Sequence, residues 1–208
     1  SVLLIRQFTL EHVPERGRIY ISGIGYYELY LNGRKVGDRV LEPGWTDYRK
    51  RVLYAVYDTE GLLAEGKNTL GICLGDGWYG NRHEGFLQLV GAYPSWYGVP
   101  KVMGELVLWD EGQMVQRILT HRGGGWLACD GPILENNLYD GELYDARREE
   151  PGWSEAGYEP DPKWKPAVEA AAPGGLLTAQ VMPPIRQTRE YRPAYMAYAK
   201  GRDRKRVV

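Results

Sequence analysis

Cysteine and histidine are scarce in this sequence, which contains two cysteines and three histidines among 208 residues. Cys73 and Cys129 lack the close spacing of a metal site, and Cys73 lies in the apolar run TLGICLG, so we expect free thiols rather than a disulfide. The histidines His12, His83 and His121 stand far apart and form no ligand pattern. Free thiols fit a reducing compartment, and the sequence favours the cytoplasm without fixing the location.

Excess charge and long apolar runs are also absent. The net charge is −1 at pH 7, so we expect no electrostatic attraction to nucleic acid or to acidic membranes. No apolar run approaches the ~18 residues of a membrane helix, and the first residues show no signal-peptide pattern. Neither nucleic acid nor a membrane is therefore expected among the partners.

Motifs of the common self-sufficient active sites are missing as well. No G-x-S-x-G sequence supplies a serine nucleophile. The GGG run at 123–125 lacks the lysine and hydroxyl residue of a phosphate-binding loop, and no dinucleotide fingerprint follows a strand pattern. We therefore assign no catalytic residue.

Helical periodicity is nearly absent from the first 130 residues, whereas alternation with a period of two is frequent. Ile19 and Ile21 share one face, and Tyr27, Leu29 and Leu31 continue the pattern in the next segment. Such alternation predicts strands with one buried face. Further strands are expected at 51–59, 68–76, 102–110 and 114–121.

Turn signals join these strands. Asn32-Gly33 favours a two-residue turn, so 26–31 and 34–41 should pair as a hairpin. Asp110-Glu111-Gly112 marks another turn between strands. Short, regularly spaced strands with glycine and proline turns predict an all-β fold, an antiparallel jelly-roll-like β-sandwich.

The amino-acid composition changes near residue 123, where proline, glycine and acidic residues become frequent. This composition predicts an extended C-terminal segment that wraps around the sandwich with one or two edge strands. Pro183-Pro184 removes two amide donors and enforces extended backbone. We therefore divide the chain into a β-sandwich accessory domain at 1–185 and a linker, or the start of a further domain, at 186–208.

Tyrosine and tryptophan are abundant, with 16 and 7 residues against 2 phenylalanines. Both suit half-buried sheet surfaces and the apolar faces of sugars. In LGDGWYGNR at 74–82, three glycines permit a sharp corner that displays Asp76, Trp78, Tyr79 and Asn81. The set fits a sugar-binding or domain-contact rim, and it also fits a plain corner in which Asp76 caps the turn and Trp78 fills the core. Asp76 and Asn81 offer oxygen ligands to calcium, but the regular calcium-loop pattern is absent.

A second loop of the same character spans 37–51. Pro43-Gly44 makes a turn beside Trp45, and Asp38 and Asp47 are close enough in sequence to reach the same rim. The alternative is that Trp45 packs against the sandwich.

Three acids in LYDGELYDAR are candidates for a carboxylate pair, namely Asp140, Glu142 and Asp145. Positions i and i+2 of a strand lie about 6.6 Å apart on one face. That spacing is near the roughly 6.5–9.5 Å between the carboxyl groups of inverting glycosidases. Ion pairs with Arg147 and Arg148 offer a structural explanation, and we favour structural or partner-contact roles.

Several blocks together resemble the N-terminal β-sandwich of bacterial α-L-rhamnosidases, glycoside hydrolase family 78. They are YYELYLNGRKVGD, LEPGWTDYRKRVLYAVYD, GKNTLGICLGDGWYGNR, YDGELYDAR and MPPIR, in this order. The resemblance covers nearly the entire chain and implies a galactose-binding-like jelly roll. It also implies a non-catalytic accessory domain of a parent enzyme that removes terminal L-rhamnose with inversion.

The resemblance implies further that catalysis belongs to carboxylates on a downstream (α/α)6 barrel. Asp140, Glu142 and Asp145 would then be partner contacts rather than a catalytic pair. In some relatives such a sandwich binds rhamnose with calcium, so calcium is a candidate cofactor, although Arg39 follows Asp38 here where such a site would have an amide. The expected partners are the barrel and a rhamnose-containing carbohydrate. The alternatives are an autonomous carbohydrate-binding module, for rhamnose or galactose-type sugars, and a purely structural domain.

Overall fold

A computed structural model describes residues 1–80, 97–138, 141–193, 195–197 and 206–207. Within these ranges the chain is almost entirely β-structure, with one short 3₁₀ helix at Ala146–Arg148, and no helix is long and apolar enough to cross a membrane. The strands are, in chain order, β1 (Val2–Leu10), β2 (Arg16–Ile24), β3 (Tyr26–Leu31), β4 (Arg34–Lys35), β5 (Arg39–Val40), β6 (Arg51–Asp58), β7 (Gly66–Gly75), β8 (Lys101–Asp110), β9 (Gln113–Leu119), β10 (Leu127–Asp130), β11 (Ile133–Asn137), β12 (Gly141–Tyr144), β13 (Lys165–Pro166), β14 (Leu176–Ala179), β15 (Ile185–Arg186), β16 (Met196–Ala197) and β17 (Arg206–Val207).

Two sheets form the sandwich. The six-stranded sheet has the order β13-β10-β1-β7-β3-β4, and the five-stranded sheet has the order β14-β6-β2-β8-β9. β1 pairs antiparallel with β7 along its whole length, from Val2 opposite Leu74 to Leu10 opposite Gly66. β14 differs because it runs parallel to β6. The predicted all-β, mainly antiparallel sandwich is confirmed.

The side chains between the sheets follow the predicted alternation. Ile19 and Ile21 of β2, and Tyr27, Leu29 and Leu31 of β3, are all buried in the main core. Complete burial of a side chain of this size contributes roughly 2 kcal/mol. A shift of either strand by one residue would turn the whole set toward water, so the core fixes the register.

The hairpin after β3 has the predicted turn but a shorter returning strand than predicted. Asn32 and Gly33 have φ values of 52° and 78°, which confirms the two-residue turn. The returning strand β4 contains two residues rather than the whole 34–41 range. Gly37 has a φ of 74° and lies against the ring of Tyr57, where a Cβ would be 2.9 Å from Cδ1. The chain turns away at this glycine, and β5 pairs instead with β15.

The C-terminal segment covers the outer face of the six-stranded sheet. Leu3 and Ile5 of β1 point to this face and pack with Trp164, Cys129 and the half-buried Tyr158 in a second core. The composition of the segment predicted this wrapping, and β13 adds an edge strand to the sheet. Both cysteines of the chain are free, as expected.

Candidate functional site

The glycine corner and the proline loop bring two tryptophans into contact. Trp45 and Trp78 stack with ring centroids 4.9 Å apart and an interplanar angle of 20°. Trp45 is 58% exposed, and Trp78 is half-buried. Burial raises the pKa of the neighbouring Tyr26 hydroxyl above its ordinary value, and a hydrogen bond with Trp78 partly offsets this. We call Trp45 and Trp78 the tryptophan face.

Hydrogen bonds to distant residues anchor the loop that carries Trp45. The amide of Tyr27 donates to the carbonyl oxygen of Glu42 at 3.1 Å. The amide of Gly44 donates to Oε1 of Gln180 at 3.0 Å. A ring held by such a loop loses little further freedom when it contacts a ligand or partner, so the arrangement favours binding.

The glycine corner that carries Trp78 depends on Gly77. Gly77 has a φ of 50°, and a Cβ there would lie 2.6 Å from the carbonyl carbon of Gly25, so this corner requires glycine. The amide of Asp76 donates to Oδ1 of Asn136 at 2.6 Å. The amide of Gly80 donates to the carbonyl oxygen of Asp76 at 2.8 Å. Asp76 thus closes the corner through its backbone.

A small aromatic core supports the tryptophan face. Tyr48 and Tyr79 meet edge to face with centroids 5.2 Å apart, and both are buried with Ile24 and Val52. Burial raises the pKa of Tyr48. The ammonium group of Lys101 lies 5.5 Å from the centre of the Tyr79 ring. Tyr79 was expected at the rim, but the structure places it beneath the rim in this core.

The acids expected near the rim lie in ion pairs with arginines. Asp38 accepts from Nε of Arg186 at 2.7 Å, and Asp47 accepts from Nε of Arg49 at 3.0 Å. Hydrogen bonds with these arginines lower the pKa of both carboxyl groups. Asn81 lies outside the described residues. Two of the candidate residues, Trp45 and Trp78, therefore form one face, while Asp38 and Asp47 form two separate ion pairs.

The loop at Asp38 does not fit a calcium ion. Calcium takes roughly six to eight oxygen ligands. Arg186 occupies the carboxylate of Asp38, and the guanidinium of the next residue, Arg39, lies 4.9 Å from the centre of the Tyr57 ring. Across the described ranges, no three acidic, histidine or cysteine side chains lie together as a metal site would require.

The acidic segment after β11 is organised by a local cap. Asp140 lies outside the described residues, and Glu142 is exposed on β12. The carboxylate of Asp145 caps the 3₁₀ helix by accepting from the amide of Arg147, and it also accepts from the Arg147 guanidinium at 2.8 Å. This hydrogen bonding holds the pKa of Asp145 below its usual value.

Glu42 lies at the site, although the sequence did not indicate it as a candidate residue. It is only 2% exposed, and its Oε1 accepts from Nε2 of Gln180 at 3.1 Å. Its Oε2 is buried and has no hydrogen-bond partner in the described part of the chain. Burial raises the pKa of Glu42, and the charge of Arg39 opposes the shift. The available signal was an acid placed directly before the Pro43-Gly44 turn in an apolar run.

Comparison with known proteins places these features in one family. The family described as the α-L-rhamnosidase N-terminal domain matches residues 12–189. An α-L-rhamnosidase of Formosa agariphila is 34% identical over 196 residues, which are 90% of this chain and 19% of that protein.

Solved structures agree with this match. An α-L-rhamnosidase of Dictyoglomus thermophilum has a TM-score of 0.81 and 38% identity, over 94% of this chain and 20% of that one. The α-L-rhamnosidase of Streptomyces avermitilis complexed with L-rhamnose has a TM-score of 0.79 and 33% identity, over 95% of this chain and 19% of that one. The chain therefore spans about a fifth of the length of these relatives. By sequence and by fold, it belongs to the α-L-rhamnosidase N-terminal domain family.

Proposed function

We propose that this chain is the non-catalytic N-terminal accessory domain of an α-L-rhamnosidase that hydrolyses terminal α-L-rhamnosides. Its tryptophan face packs on the catalytic (α/α)6 barrel of the same polypeptide and contributes there to binding a rhamnose-containing carbohydrate. The observation that best supports this role is the anchored, exposed stack of Trp45 on Trp78. The L-rhamnose bound to the similar Streptomyces avermitilis enzyme fits a sugar of this class.

Exposed apolar side chains near the tryptophan face support packing on another domain. The sulfur of Met182 lies beside Gly44, where an added Cβ would be 2.7 Å from it. Ile185 is exposed and pairs with Val40 across β15 and β5, and the exposed Leu41 follows directly. We call Leu41, Met182 and Ile185 the apolar strip. Exposed apolar surface of this kind is typical of an interface.

The chemistry of Asp145 supports a non-catalytic role for the acidic segment. Inverting hydrolysis needs one carboxyl group that is protonated and one that is ionised. Arg147 holds Asp145 in its ionised form, and the same carboxylate is already used to cap the 3₁₀ helix. Asp145 is therefore suited to fixing the local backbone rather than to donating a proton.

Autonomous carbohydrate binding is the second candidate function. The exposed ring of Trp45 suits the C–H face of a sugar, and the Asp47–Arg49 pair on the same loop offers polar groups to hydroxyls. An autonomous module would bind sugar without the rest of the enzyme, whereas an accessory domain would depend on the barrel.

Titration of the chain with L-rhamnose separates the two candidates. The accessory role predicts no saturable change of tryptophan fluorescence up to roughly 50 mM L-rhamnose, a range in which even a weak site with a Kd of ~1 mM, worth only about −4 kcal/mol, would saturate. A saturable change that disappears in Trp45→Ala would favour the autonomous module. Trp109→Phe is the matched control, because Trp109 lies on β8 under Arg16, away from these loops.

The packing surface is tested in the parent polypeptide. Trp45→Ala combined with Met182→Glu should make the domain easier to release by limited proteolysis and should lower its thermal transition. Val168→Glu is the control, since Val168 is exposed and belongs to neither the tryptophan face nor the apolar strip. Identical proteolysis of both variants and the parent would contradict packing through this surface.

The non-catalytic role is tested with an aryl α-L-rhamnoside. The chain alone should release no aglycone, while the parent polypeptide should release it. Turnover by the chain that vanished in Glu142→Gln would overturn the accessory assignment.

A further inference from the structure

Arg6 occupies a position of β1 that the strand alternation assigns to the interior. Leu4, Phe8 and Leu10 share its side of the strand and pack in or against the main core between the sheets. Arg6 thus carries a guanidinium group along the inner face of the sandwich, to the place where β9 and the loop at 121–125 approach β1. A charge on this side of a strand requires a partner.

The hydrogen bonding of Arg6 is incomplete. Its Nη1 donates to the carbonyl oxygen of Gln7 at 2.5 Å. Its Nε is buried and has no hydrogen-bond partner among the described residues. A guanidinium group has five N–H donors in a fixed planar arrangement. Because Nε is buried, an acceptor in the groove would bind to the Nη1 and Nη2 hydrogens that the described residues leave unpaired.

A groove with a volume of about 280 Å³ opens at Arg6. Arg117 and His121 add two further basic side chains to its lining, and Gln116 adds an amide. No acidic side chain occurs among the described residues that line it. The charge of Arg117 is paired with Glu105, whereas no salt bridge to Arg6 is found among the described residues.

The GGG run at 123–125 keeps this groove open. Gly125 has a φ of 72°, and a Cβ there would lie 2.9 Å from Nη1 of Arg6. A Cβ at Gly124 would lie 3.1 Å from Cδ2 of His121. The glycines thus leave space beside both the guanidinium and the imidazole groups. The run lacks the lysine of a phosphate-binding loop, and the fold places an arginine of β1 beside it instead.

We propose that this groove is a binding site for a small carboxylate ligand of the sugar-acid class, with Arg6 as its cation. The planar fork of a guanidinium matches the two oxygens of a carboxylate. The amide of Gln116 and the peptide groups of the glycine loop are suited to hydroxyl groups. The volume is near the lower end for small-molecule sites. Different loops form the tryptophan face, so this site stands independently of the function proposed above.

Titration with D-glucuronate, followed by NMR, tests the site directly. We expect saturable shifts of the Arg6 Nη–H signals and of the amides at 123–125, with a Kd of roughly 1–10 mM. D-Glucose, which lacks the carboxylate, should give no saturable shift, and sulfate at equal ionic strength should bind at least several-fold more weakly. Equal binding of sulfate would overturn the carboxylate assignment, and no saturation with D-glucuronate up to roughly 50 mM would overturn the site.

Matched charge variants identify the cation. Arg6→Gln should raise the Kd for D-glucuronate at least about ten-fold. Arg122→Gln makes the same charge change at an exposed neighbour outside the groove lining, and it should leave the Kd unchanged. Equal weakening in both variants would indicate general charge attraction and would contradict the proposal.

Two further variants keep the test decisive. If Arg6→Gln does not fold, Arg6→Lys retains the charge but loses the planar fork, and the Kd should still rise several-fold. An unchanged Kd in Arg6→Lys would overturn the bidentate role. Trp45→Ala should bind D-glucuronate like the unaltered chain, so failure of this site and failure of the tryptophan face are distinguishable.

Discussion

Two aromatic pairs in this molecule differ in their exposure to solvent. Trp164 and Tyr158 meet edge to face at 5.8 Å, with Trp164 buried against the outer face of the six-stranded sheet. Trp45 and Trp78 stack at 4.9 Å on loop corners, with Trp45 largely exposed. The first pair closes a core and the second presents a surface. Whether a tryptophan stabilises the fold or meets a partner depends on the backbone that carries it.

Trp164→Ala should have the largest effect on stability. The change removes a buried ring that packs with Leu3 and Ile5, and it removes the hydrogen bond that Nε1 donates to Tyr158 at 3.0 Å. We expect a loss of about 3 kcal/mol in the free energy of unfolding, measured by chemical denaturation.

Tyr158→Phe is the matched control for this cluster. It keeps the ring and removes a hydroxyl group that accepts from Trp164 and donates to Glu150. A loss of about 1 kcal/mol is expected. If Trp164→Ala cost no more than Tyr158→Phe, the C-terminal segment would not form a core with the sheet.

Gly77→Ala should disturb the corner that carries Trp78. The new Cβ would lie 2.6 Å from the carbonyl carbon of Gly25 and would also strain a φ of 50°. We expect a loss of roughly 2 kcal/mol. Gly112→Ala is the control, because Gly112 has a φ of 74° but no atom near its added Cβ, so only the backbone strain of about 1 kcal/mol remains. Equal losses in thermal denaturation would contradict the close contact at Gly25.

Glu42→Gln should stabilise the chain at neutral pH. Burial raises the pKa of Glu42 in the folded state above its unfolded value of about 4.3, so the folded state binds this proton more tightly. Stability is therefore lost as the pH rises from the unfolded pKa through the folded pKa, and glutamine removes that loss. We expect a gain of roughly 1 kcal/mol at pH 7 that shrinks as the pH falls through the raised folded pKa and disappears below the unfolded value of about 4.3. A gain independent of pH in urea denaturation would show that the carboxylate is not its cause.

The strands and the tight turn were predictable because their signals are local. Alternation placed Ile19 and Ile21 in the core, and Asn32-Gly33 marked the hairpin. The predicted length of the returning strand was wrong, because Gly37 packs under the ring of Tyr57 on β6 and the chain turns away there. The sequence of a strand shows which of its faces is buried, whereas contacts between strands depend on the folded arrangement.

The candidate site was predictable only in part, for the same reason. The two loops indicated Trp45 and Trp78, but nothing local showed that the rings stack. Tyr79 lies in a turn, where no period of two assigns a face, and it is buried. Glu42 is held by Gln180, and Arg6 meets a glycine run more than a hundred residues later. These residues have roles that only the tertiary contacts reveal.

Trp45→Ala should have the smallest effect on stability and the most selective effect on contacts. Because the ring of Trp45 is largely exposed, its removal should change the free energy of unfolding by less than about 0.5 kcal/mol. Trp78→Ala should cost more, since its half-buried indole is hydrogen-bonded to Tyr26. Chemical denaturation of the two variants gives the ranking. A loss in Trp45→Ala as large as that in Trp164→Ala would mean that both tryptophans close a core, and the packing surface would then have to lie along the apolar strip alone.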